Sequence, residues 1–87
     1  MNRDQVLSHL SEAREAITQV IEEIQETPDY DDSEYWVDMQ HVYHHINTAW
    51  NSRNASSADV EQATDTVFNR WNVFPLDLPM MQVGQSK

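Results

Sequence analysis

The chain has no cysteine among its 87 residues, one glycine, three prolines, and only five basic residues against fifteen acids. Each shortage excludes something. Without cysteine there is no disulfide, no thiolate nucleophile and no sulfur ligand for zinc or an iron–sulfur cluster. A lone glycine, Gly84, cannot build a phosphate-cradling loop, and no Gly-x-Ser-x-Gly elbow is present. The prolines, Pro28, Pro75 and Pro79, leave two long unbroken stretches, which is the punctuation of a helical protein. No run approaches the ~20 apolar residues of a membrane span. The first residues, Met1 to Asp4, lack the basic and apolar regions of a signal peptide, so the expectation is a cytoplasmic protein.

What is present is acid and aromatic bulk. The formal net charge is -10, and it is uneven: residues 1–38 carry a net charge of -9 and residues 39–87 only -1. Such a surface repels phosphate backbones and anionic headgroups, so no direct nucleic-acid or membrane binding is expected; a protein with a basic surface or a divalent cation suits it better. Acidity also keeps a small protein soluble, whatever its partner. Three Trp, three Tyr and two Phe supply enough bulk for one core in a chain of this length.

Side-chain periodicity sets the architecture. Val6, Leu10, Ala13, Ile17, Val20 and Ile24 step by fours and threes, a heptad seam flanked by Leu7 and Ile21. Trp36, Met39, Tyr43, Ile46 and Trp50 repeat the pattern, as do Val60, Thr64, Val67, Trp71 and Phe74. Asn2 with Gln5, Asp31 or Ser33, and Ser56 with Asp59 supply helix starts, while Pro28 and Pro75 force stops. These signals predict an all-α fold, a three-helix antiparallel (up-down-up) bundle with an extended C-terminal tail. Residues 1–87 form one domain, with helices over roughly 3–27, 33–52 and 57–74 and a tail over 75–87. Leu76, Leu78, Met80 and Met81 are expected to cap the open end of the core, and the three tryptophans to lie inside it.

Chemistry-bearing residues are few. Glu34, Asp38, His41 and His45 form a stripe on the second helix, opposite the Trp36 to Trp50 seam and therefore expected to face away from the core. His41 and His45 have the i, i+4 spacing that lets two imidazoles ligate one metal, and Asp38 could add an oxygen. The stripe lacks the glutamate that metalloproteases place between such histidines, and a closed site needs ligands from elsewhere. An uncommitted stripe of this kind is equally a solvated face with weak helix-surface pairs. The acids Asp31, Asp32 and Glu34 read first as helix caps.

No motif points to catalysis, and neither an enzyme nor a bound cofactor is expected. The leading reading is a non-catalytic protein–protein interaction module. It docks a basic partner, or a second copy of itself, through a helix face or through Asp29, Asp31, Asp32 and Glu34 in the acidic first turn. The alternative is a metal-binding helical protein using His41, His45 and Asp38. A further alternative is an acidic imitation of DNA phosphates.

Overall fold

The computed structural model describes residues 1–61 and 65–81. Four helices follow one another, α1 (Arg3–Glu26), α2 (Asp32–Asn51), α3 (Ser57–Glu61) and α4 (Asp65–Trp71), with no strand among the described residues. No helix among them is long and apolar enough to cross a membrane. The all-α class and the bounds of the two long helices agree with the sequence reading.

Capping explains where the helices begin. Asn2 accepts a hydrogen bond from the Gln5 N–H through Oδ1, and Asp31 accepts one from the Glu34 N–H. Ser56 and Asp59 bond each other's backbone N–H reciprocally, a complete capping box. Thr27, before Pro28, is extended (φ -118°, ψ 97°), which ends α1.

α1 and α2 form an antiparallel hairpin closed at its open end by polar contacts. The Asn2 N–H donates to the Arg53 carbonyl at 2.6 Å, and Asn2 Nδ2 donates to the Ala55 carbonyl at 3.0 Å. Gln5 Nε2 reaches Ser52 Oγ at 3.2 Å, and one turn further on His9 meets His45. The buried layer between the helices is built from small side chains: Ala13, Ala16 and Val20 on α1, Val42, Ala49, Thr48 and Ser52 on α2. Small residues let the two backbones approach closely, and the bulkier seams are turned to the flank.

That arrangement corrects the sequence reading in four places. Of the first heptad seam only Ala13 and Val20 are buried, whereas Leu10, Ile17 and Ile24 are exposed. On α2, His45 of the stripe turns toward α1 while His41 stays exposed, and of the Trp36–Ile46 seam only Met39 packs on the core; Trp36 is 68% exposed. The third helix, expected over 57–74, ends at Trp71; it is described as α3 and α4 on either side of residues 62–64, which include Ala63 and Thr64 of the third seam and lie outside the described residues. The apolar tail does not cap the core: Leu76, Met80 and Met81 are almost fully exposed. The rest of the tail, 82–87, also lies outside the described residues.

α4 is held against α2 by Trp71, the one tryptophan that is buried, and by Asn51 Nδ2, which donates to the Trp71 and Val73 carbonyls at 2.6 and 2.7 Å. The start of the tail is clipped back through Asp77. Its carboxylate accepts from Trp50 Nε1 at 2.8 Å and from Arg53 Nη2 at 3.2 Å, while the Arg53 guanidinium stacks 3.9 Å over the Trp50 ring. Asp77 is thus the acceptor for the Trp50 indole. These bonds hold the Asp77 carboxyl below its ordinary range.

Candidate metal centre

The sequence contains four histidines, and all four meet at one point of the hairpin. His45 is the hub, a buried side chain on the face of α2 that packs against α1. His41, one turn earlier on α2, brings its Nε2 to 3.1 Å from His45 Nε2. His44 lies beside them, its ring centroid 4.7 Å from that of His45 and 4.8 Å from that of Phe68 on α4. The fourth member, His9, comes from α1, with its Nδ1 3.3 Å from His45 Nδ1.

Glu12, one turn after His9 on α1, completes the group. Its Oε2 stands 3.1 Å from His45 Nδ1, and its side chain remains 51% exposed. One donor atom each from His9, Glu12 and His45 therefore lies within a sphere of contact no wider than 4.8 Å. Zinc binds nitrogen and carboxylate oxygen at about 2.0–2.1 Å, so neighbouring ligand atoms of a tetrahedral site stand about 3.3 Å apart. The two distances that involve His45 Nδ1 are of that size.

The protonation chemistry points the same way. Burial lowers the pKa of His45; the Glu12 carboxylate partly opposes that, and the neighbouring imidazoles reinforce it. His9 is likewise lowered by burial, with Glu12 opposing and His44 adding to the shift. Neutral imidazole is the form that offers a lone pair to a metal. A metal on His45 Nδ1 would place the imidazole proton on Nε2, which could then donate to His41 Nε2 at 3.1 Å. Ligating histidines are commonly oriented by such a second hydrogen bond.

The same shifts carry a pH dependence for the metal-free chain. A histidine whose folded pKa is lowered binds fewer protons folded than unfolded, so its contribution is complete above the ordinary histidine value and shrinks as pH falls below it. Urea midpoints of the metal-free protein should therefore fall between pH 7 and pH 5. His45→Gln should flatten that slope, and an unchanged slope in the variant would remove His45 as its source.

The other residues singled out from the sequence lie elsewhere. Asp38 does not join the histidines; it accepts from the Tyr30 hydroxyl at 2.7 Å and faces Glu23 of α1, whose carboxyl is pushed up first by its hydrogen bond with Asp38. Asp31 is the N-cap of α2, Asp32 and Glu34 sit in its first turn, and Asp29 is exposed in the connection. The sequence reading missed His9 and Glu12. The available signal was their i, i+3 spacing in line with Ala13, Ala16 and Val20, a narrow stripe of small side chains that marks the close face of α1.

No protein-family model matches the chain, and neither a curated protein nor a solved structure matches it.

Proposed function

We propose that this chain is a metal-binding helical protein in which a divalent first-row transition metal clamps α1 to α2 through His9 Nδ1, Glu12 and His45 Nδ1. The observation that supports it is the convergence of three ligand atoms from two helices, two of the three separations at tetrahedral edge distance and all within 4.8 Å. Two nitrogens and one carboxylate favour zinc or iron(II) over the all-oxygen preferences of magnesium and calcium. Three protein ligands leave one position for water, and the exposure of Glu12 keeps that side open to solvent. His41 is the residue that orients His45, and Asp38 is no part of the site.

Calorimetric titration with zinc tests the reading. One ion should bind per chain with a Kd below about 10 µM, tighter than two unorganised ligands would give. His9→Gln and Glu12→Gln should each weaken binding at least tenfold, His41→Gln by roughly ten- to a hundredfold, and Asp38→Asn not at all. Binding weaker than that limit, or binding that Asp38→Asn removes and Glu12→Gln spares, would reject the assignment.

A further inference from the structure

The bulky seams of α1 and α2 that the hairpin leaves uncovered lie on one side of it. On α1, Leu10, Ile17, Ile21 and Ile24 sit about 45–105° around the helix, all in one sense, from the buried Ala13, Ala16 and Val20. On α2, the exposed Tyr35 and Ile46 are displaced in the same rotational sense from Val42, His45 and Ala49, with Met39 beside them partly buried against the core. In an antiparallel pair, equal senses of rotation lead to the same side. The result is one apolar face spanning two helices, carrying aliphatic side chains in 3–4 register from residue 10 to residue 24.

The chain exposes 6932 Å², whereas a compact monomer of 10.2 kDa is expected to expose about 5,300 Å². The difference of roughly 1,600 Å² is shared between this face and other exposed apolar residues such as Trp36, Leu76, Met80 and Met81, and a stable interface takes about 800 Å² from each partner. The shape agrees: the molecule is 21 Å thin in one direction, two helix diameters, and its radius of gyration is 15.5 Å against about 12 Å for a compact chain of this length.

Charge decides what covers the face. The acids of α1 at Glu15, Glu22 and Glu26 project from the side opposite Ile17 and Ile21. A basic partner would find its complement there and not on the apolar face. Two copies meeting face to face would bring aliphatic seams together and keep their negative surfaces apart.

We infer that this face binds a second copy of the chain, two hairpins packing about a two-fold axis into a four-helix bundle. The inference is independent of the metal reading, because none of the face residues is among the ligands. It also accounts for the exposure of Leu10, Ile17, Ile21 and Ile24 within one chain.

Light scattering coupled to gel filtration, in EDTA at about 100 µM, should give twice the monomer mass of 10.2 kDa. The double variant Ile17→Glu/Ile21→Glu should run as a monomer with an unchanged helical circular dichroism spectrum, since both side chains are exposed within one hairpin. Because the chain has no native cysteine, single cysteines placed at Leu10, Ile17, Ile21 or Ile24 report independently of that variant. Oxidation should cross-link this set and spare cysteines at Glu15 and Glu22. A wild-type monomer at 100 µM, cross-linking that prefers the acidic side, or a double variant that stays dimeric would each overturn the inference. Zinc titration fails or succeeds separately, so the two proposals cannot be confused.

Discussion

Zinc at a hundred times its dissociation constant is expected to raise the thermal midpoint of this protein by roughly 10–20 °C at pH 7. A ligand that binds only the folded chain stabilises it by about 2.7 kcal/mol at that excess, and a domain of this size shifts about 4–8 °C for each kcal/mol. The effect follows from where the ligands sit. His9 and Glu12 are on α1 and His45 is on α2, so an unfolded chain, which separates them by more than thirty residues, cannot present them together. Protons compete for the same lone pairs, so the stabilisation should shrink as pH falls through and below the ordinary histidine range. Burial of His9 and His45 delays that competition to lower pH. Magnesium should give no comparable shift, and the same zinc concentration should give Glu12→Gln at most about half of it, since a site ten times weaker is stabilised by about 1.4 kcal/mol. A midpoint indifferent to zinc, followed by circular dichroism at 222 nm, would contradict a clamp between the two helices.

The second large effect separates the true core from the seams. Val42 is 2% exposed and packs with Ala16, Val20 and Met39. Val42→Asp would place a carboxylate in that layer with no basic partner, a cost on the order of 3 kcal/mol or more. Small domains have little stability beyond that, so most of the helical signal should be lost at 25 °C. Ile17→Glu, one residue from Ala16 but on the flank, should retain its helices. Equal urea midpoints for the two variants would mean that the interior had been assigned to the wrong face.

Much of the local structure was legible in the residues themselves. Capping is a short-range matter of one side chain and one backbone N–H, so Asn2, Asp31 and Ser56 marked their helix starts correctly. Proline's effect on its predecessor is equally local, and α1 ends before Pro28 as expected. Helix type followed from the 3–4 spacing of apolar residues over long stretches.

The face each helix buries was not legible, because a 3–4 stripe states only that something must cover it. Val6 to Ile24 reads the same whether its cover is the next helix or another molecule. Here the small side chains Ala13, Ala16 and Ala49 allow a closer approach than the bulky seams would. Hydrogen bonds from Asn2 and Gln5 to the end of α2 fix the register. The inverted choice of face carried the histidines with it. His45, expected on an outer surface with His41 and Asp38, turned inward toward α1, while His41 stayed exposed beside it and Asp38 paired with Tyr30.

The amino-acid sequence by itself determined that this chain is helical and where its two long helices begin and end. Those properties depend on residue type and on neighbours within a few positions. The meeting of His9 and Glu12 with His45, and the exposure of an aliphatic stripe on α1, were decided only when two helices chose a crossing. That choice rests on contacts between residues more than thirty positions apart, for which the spacing of residues along one helix holds no information.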